Sequence, residues 1–529
     1  MYNTLIRGGT LIDGTGGAPY CADIALQDGK IAAIGHDLGA AAQVIDAKGF
    51  CVTPGFIDIH RHGDAAVFRP GFGVAELRQG LTTILNGACG VSLVPFGNRH
   101  KDELLHYLEP ITGRLDPTIP TESLGAYLAA LRQVALPLNV GMMLGAGTVR
   151  ADLFGYAEEE PADLSPIHRA LERGIADGAY GISLGLGYAP ECFYTTDGLI
   201  RALQPLKDGD IPITVHMRHE GDGVCDSVAE MIAVAKALRC PMHISHLKAM
   251  GKRNWHTKIP RALELMAQAR EDGVDITCDV YLYDAGSTQL LHLLPPDFLK
   301  GGVDAICARL RDKNQRDLLR EAIAHRHDFD NIAQMVGWEN IMLSALNLPE
   351  YQHLIGKTLA QAAELLQLDP VDCLCQLLAD ERCAVTMIDR MACEDDICTI
   401  LNDPHSSVIS DSTYPTSGKP HPRVYGSYVR IFERFVLEKK TLDLPTAVRK
   451  ITALPAEAMR IQNKGLLRVG MDADINIFKP ELLHERATYL DPTQESEGMD
   501  TVFVGGVPAI LHGAWTDAGT GAVIKHQAG

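Results

Sequence analysis

Residues 211–247 read IPITVHMRHEGDGVCDSVAEMIAVAKALRCPMHISHL. Two apolar, β-like runs, residues 211–218 and 240–247, flank a stretch whose apolar side chains Val228, Ile232, Val234 and Ala235 recur at helical spacing over 226–238. A strand, a helix and a second strand in this order form the unit from which parallel sheets are built. The same alternation extends in both directions. Further strand-like runs occupy residues 51–60, 81–89, 138–144, 178–186, 275–283 and 407–412, with helical stretches at 124–134, 165–176 and 259–270 between them. Eight such units predict an α/β fold built on a closed (β/α)8 TIM barrel.

Both ends of the chain differ from this middle. Short β-like runs separated by Gly and Asp turns fill residues 5–46, and the style returns at 475–478, 500–504 and 507–511. We therefore expect a small β-sandwich formed by both termini, residues 1–50 and 463–529, around barrel segments 51–290 and 352–462. The gap between the seventh and eighth strands exceeds any ordinary connection. Residues 291–351 within it read as an inserted lid over the barrel mouth, and 359–378 as outer helices resuming.

Composition limits the function classes. With 529 residues, 46% of them hydrophobic, the chain can bury a large core. Lys plus Arg is 48 against 67 for Asp plus Glu, a net charge of −19 with no long basic run, which argues against nucleic acid or an anionic membrane as a partner. The opening MYNTLIRGG lacks a secretory signal, and no apolar run approaches the roughly 18 residues of a spanning helix. Thirteen cysteines at irregular spacing suit free thiols in a reducing cytoplasm. The expected partner is a small-molecule substrate, and homo-oligomer formation is left open.

The first strand ends in residues 54–64, PGFIDIHRHGD. Residues two apart on a strand share a face, so His60 and His62 point together while Arg61 points away. Cys89 closes the second strand, His216 and His246 lie near the ends of the fifth and sixth, and Asp411 ends the eighth. All six fall on the C-terminal rim, where barrel enzymes place their active sites, and thiolate with imidazole suits zinc. Cysteine is ordinarily core filler, but the glycines around Cys89 at a strand end favour a ligand. His219 and His243 lie three residues from His216 and His246, on the opposite face, and read as structural or supporting groups.

These positions resemble the amidohydrolase superfamily, as do TALPA at 452–456 and GLLRVGMDADI at 465–475. Within it the chain is similar to the N-acyl-D-amino-acid deacylases (D-aminoacylases), through NGACGVS at 86–92, GISLGL at 181–186, HMR at 216–218, SHLKAMG at 245–251, YDAGST at 283–288 and HPRVYG at 421–426. The resemblance implies zinc-dependent hydrolysis of N-acyl-D-amino acids. Cys89, His216 and His246 would hold one zinc tightly, with His60, His62 and Asp411 around a second, weaker metal position. Asp411 would be the catalytic acid/base, and Lys248, Tyr283 and Arg423 would grip the substrate carboxylate. Many amidohydrolases bridge two metals with a carboxylated lysine ending strand four. Residues 181–188 contain no lysine, and Cys89 would take the bridging place. Arg61, Gly63 and Leu247 depart from the deacylase pattern beside the pocket. The alternatives are a cyclic-amide hydrolase of the hydantoinase or dihydroorotase kind, against which the missing lysine counts, and a non-catalytic barrel scaffold, against which the intact set of six counts.

Overall fold

The structure, a computed structural model, describes residues 1–97 and 100–526. Eight parallel strands form the barrel: Phe56–Arg61, Leu81–Asn86, Asn139–Met142, Ile182–Gly185, Ile213–His216, Met242–Ile244, Ile276–Val280 and Ser406–Val408. Every residue of the first four is buried, the polar ones such as Asp58, His60, Thr83 and Asn86 included. Leu144–Gly145 joins the third strand to the fourth by pairing with Ile182 and Ser183. At the other seam Arg61 bridges Ser412, and the Asp411 amide donates to the His60 carbonyl at 3.1 Å. The ring is thus closed through two of the expected site residues. Outside it, helix Val224–Leu238 buries Val228, Met231, Val234, Ala235 and Leu238, while Ile232 is only half-buried.

The run 51–60 is two strands rather than the single one expected. Cys51–Pro54 belongs to the terminal β domain, pairing with Thr10 and Leu11 on one side and with Ile475–Phe478 on the other. The division falls at Gly55, where a Cβ would lie 2.1 Å from Thr82 Oγ1, so only glycine lets the chain turn this close to the second barrel strand. Both termini build that domain. It is one hydrogen-bonded sheet of nine strands, with its own apolar core of residues such as Leu11, Ile24, Val52, Ile475 and Phe503.

The insertion is larger than the expected 291–351. It is bounded by Ala285–Gln289 and Thr386–Arg390, which pair antiparallel with each other, and Ile341–Ala345 completes a three-stranded sheet. Helices Leu359–Leu366 and Pro370–Asp380, expected to be outer barrel helices, belong to it. The second of them packs on Gly302–Arg311 and Lys313–His325 of the same insertion. Barrel architecture resumes only at helix Glu394–Leu401, which contacts Lys258–Glu271 and the seventh and eighth strands. Among the described residues no helix is long and apolar enough to cross a membrane, and all thirteen cysteines are free thiols.

Candidate active site

Three of the expected ligands leave ordinary backbone geometry where their strands end. Cys89, His246 and Asp411 have φ of 55°, 37° and 53°, a region that non-glycine residues enter rarely and mostly at functional sites. Around Cys89 the chain turns tightly against its neighbours: a Cβ on Gly90 would lie 2.1 Å from Glu191 Oε2 and 2.6 Å from the Gly185 nitrogen. These turns aim the side chains into the barrel mouth.

All six meet there. Two overlapping groups have ligand atoms within 4.8 Å of one another: His60, His62, Cys89 and Asp411, and Cys89, His216 and His246. The shared atom is Cys89 Sγ, 3.1 Å from His60 Nε2 and 3.3 Å from His246 Nε2. Asp411 Oδ1 lies 3.4 Å from Nε2 of both His60 and His62. The fourth strand, Ile182–Gly185, carries no lysine, and the sulfur lies between the two donor groups.

The electrostatics fit a cation. Burial favours a neutral Cys89 thiol, but the His60 and His246 imidazoles bring its pKa well below the usual thiol range. Burial pulls His246 down and Lys248 adds to that, yet Glu220 and Cys89 together push it up to about 9. Burial likewise opposes charge on His60, which Cys89 and Asp411 nevertheless raise well above the usual imidazole value. Cys89 and the carboxylates beside it thus favour positive charge at this position, which a divalent ion would supply. Soft thiolate with imidazole selects zinc.

A cavity of about 210 Å³ opens on this cluster. Lys248 and Arg423 line it; Tyr283 does not. The Tyr283 hydroxyl donates to Glu485 at 2.6 Å and its ring stacks under Arg430, so the expected pocket contact of Tyr283 is not formed. Tyr281 lines the cavity instead, with Lys248 Nζ at 5.7 Å and Arg423 Cζ at 4.9 Å from its ring centre. The Tyr281 hydroxyl and Arg423 Nε are buried with no hydrogen-bond acceptor. Arg423 Nη1 lies 2.9 Å from Asp411 Oδ2, and the Arg423 amide donates to His421 Nδ1, which fixes where its helix begins.

Two acids escape the sequence reading. Glu220 lies 3.7 Å from His216 Nε2, 2.6 Å from Lys248 Nζ and 2.9 Å from His246 Nδ1, and against the effect of burial His216, Lys248 and His246 hold its carboxyl far below the ordinary range. Asp279 accepts from the His246 amide and lies 2.7 Å from His243 Nε2. His243 therefore supports the site through Asp279, while His219 lines the cavity 3.8 Å from Asp330. An acid inside the apolar run TCDV, and one four residues after a ligand histidine, were the available signals. Arg61 points away as expected, fully buried against Asp58, Glu76 and Tyr414.

Residues 43–510 match the family model described as "Amidohydrolase family". The chain belongs to the amidohydrolase family. This amidohydrolase is 30% identical over 535 residues to a D-aminoacylase of Alcaligenes xylosoxydans xylosoxydans, covering 100% of this chain and 98% of the relative. It is 32% identical over 515 residues to an N-acyl-D-glutamate deacylase of the same organism, covering 95% and 92%. The crystal structure of N-acyl-D-glutamate deacylase from Bordetella bronchiseptica, complexed with zinc and a phosphonate mimic of the tetrahedral intermediate, superposes with a TM-score of 0.82 at 28% identity over 99% of each chain.

Proposed function

We propose that the protein is a zinc-dependent N-acyl-D-amino-acid deacylase, which cleaves a linear amide to a carboxylate and a free D-amino acid. The observation that carries this reading is that two residues lining the cavity that opens on the Cys89, His216 and His246 cluster, Tyr281 and Arg423, each keep a buried donor without an acceptor, the hydroxyl and Nε. Buried donors without acceptors are costly unless a ligand supplies one, and an α-carboxylate does so. Lys248, Tyr281 and Arg423 bind that carboxylate, with Lys248 oriented by Glu220.

Cys89, His216 and His246 hold the tighter ion, and His60, His62 and Asp411 flank a second, weaker position. When bound, the ion polarises the amide carbonyl and acidifies water. Asp411 is ionised at neutral pH, because Arg423 and the His60 and His62 imidazoles outweigh its burial. It takes the proton of the attacking water and returns it to the departing amine. With carboxylate and carbonyl both held, inversion at the α-carbon drives the side chain into the opposite wall, and the D-enantiomer is selected.

The cavity favours an apolar over an acidic side chain. With Lys248 and Arg423 given to the α-carboxylate, the remaining arginine at the cavity, Arg218, is held by Glu230 and the carbonyls of Cys192 and Tyr194. Burial keeps His292 neutral, with its pKa lowered to about 3. Leu294, Leu299, Phe329 and Ile332 of the insertion supply apolar wall. The test is a panel of N-acyl derivatives of D- and L-Leu, Phe, Asp and Glu, with hydantoins and dihydroorotate. The D-Leu and D-Phe derivatives should turn over best. Preference for L-enantiomers would overturn the carboxylate assignment, turnover confined to cyclic amides the reaction itself, and preference for acidic side chains the apolar pocket.

A further inference from the structure

Away from the barrel mouth, a second set of metal-ligating side chains is brought together by two segments that the deacylase reading does not use. One is the loop after the sixth strand, through His256; the other is the return of the insertion into the barrel at residues 390–396. The Gly251 amide and Trp255 Nε1 both donate to the Met391 carbonyl, at 2.9 and 3.1 Å, and the His256 amide donates to Asp396 Oδ1 at 3.0 Å. Cys393 and Asp396 stand three residues apart at the start of helix Glu394–Leu401, a spacing that puts both on one face, and His256 meets them from the loop. One ligand atom from each lies within 4.8 Å of the others.

Asp396 is only 4% exposed, and its Oδ2 is buried without a hydrogen-bond partner. A buried carboxylate oxygen in that state is poorly compensated for its desolvation, and the side chains that do offset it at this carboxyl are the Cys393 thiol and the His256 ring. Cations on or beside these segments are committed elsewhere, Arg253 to Asp222, Lys258 to the Asp222 carbonyl, Arg390 to Asp284 and Lys439 to Glu394. His256 is exposed, so the cluster is open to solvent on one side.

We propose that His256, Cys393 and Asp396 form a separate zinc-class metal site, sharing no ligand with the barrel-mouth centre and leaving a fourth position to water. Thiolate, imidazole and carboxylate are the donors that zinc takes, and three protein ligands with one open position is a common arrangement. Such an ion ties the return of the insertion to the loop after the sixth strand. Met391 and Met250, on those two segments, line the active-site cavity.

Cobalt binding separates this site from the barrel-mouth centre, because each contains one thiolate. The Cys89→Ala protein titrated with cobalt should still develop a thiolate-to-cobalt absorption band, and the band should vanish in Cys89→Ala/Cys393→Ser. A Cys89→Ala protein without the band, or a band that survives the second substitution, overturns the proposal. If Cys89→Ala does not fold, zinc content decides: after dialysis against dilute zinc, Cys393→Ser and His256→Ala should each carry about one equivalent less than the unsubstituted protein. Equal zinc in all three refutes the site.

Discussion

Asp411 is held ionised between two imidazoles and an arginine, and in the proposed reaction it takes a proton and returns it. Asp411→Asn preserves size and one acceptor oxygen. It should keep the tightly bound zinc while kcat falls by a factor on the order of 10² or more, measured by steady-state kinetics alongside metal analysis. Tyr281 and Tyr283 supply a paired test. Tyr281→Phe removes an unpaired donor at the cavity and should raise KM severalfold with little change in melting temperature. Tyr283→Phe removes a buried bond to Glu485 and should cost about 1–2 kcal/mol of stability with KM unchanged. The six cluster residues were legible in the sequence because strand ends converge on one rim. The choice between the two tyrosines was not. They share a face for as long as the strand continues, but pairing ends at Val280, and beyond it alternation no longer dictates direction. Glu220 and Asp279 were missed because each acts on a group from another element, which a linear reading does not bring near.

At the scale of the element, the insertion furnishes much of the cavity wall. Phe329, almost fully buried, lines the cavity from this insertion, and Phe329→Ala should lower selectivity for N-acyl-D-leucine over N-acylglycine by about tenfold, since lost apolar contacts in a pocket are worth about 1–3 kcal/mol. The comparison of kcat/KM for the two substrates checks it, and an unchanged ratio would separate Phe329 from recognition. An interruption of the barrel was readable from the length of the gap. Its true bounds were not, because Leu359–Leu366 and Pro370–Asp380 carry the same one-sided apolar pattern as barrel helices. Only the pairing of Ala285–Gln289 with Thr386–Arg390, a contact between distant residues, assigns them.

For the molecule as a whole, Glu191 links the site to folding stability. Burial pushes its carboxyl from 4.5 up to about 8, although the Gly185 amide donates to Oε2 at 2.7 Å. Between those values the folded chain keeps a proton that the unfolded chain releases, so this group's contribution to stability falls as pH rises through the window. Glu191→Gln retains the acceptor and cannot ionise. Its stability relative to the unsubstituted protein should therefore improve from about pH 5 to about pH 8, measured as urea midpoints; a constant difference would show that Glu191 does not titrate there. The nine-stranded sheet bears on how the protein is made. Cys51–Pro54 lies between a strand near the start of the sequence and Ile475–Phe478, synthesised more than four hundred residues later. On the ribosome the early strands wait with an unpaired hydrogen-bonding edge until nearly the whole barrel has emerged, and such edges invite intermolecular pairing. Yield of this protein should accordingly depend on chaperone supply and translation rate during synthesis, even where the finished fold is stable.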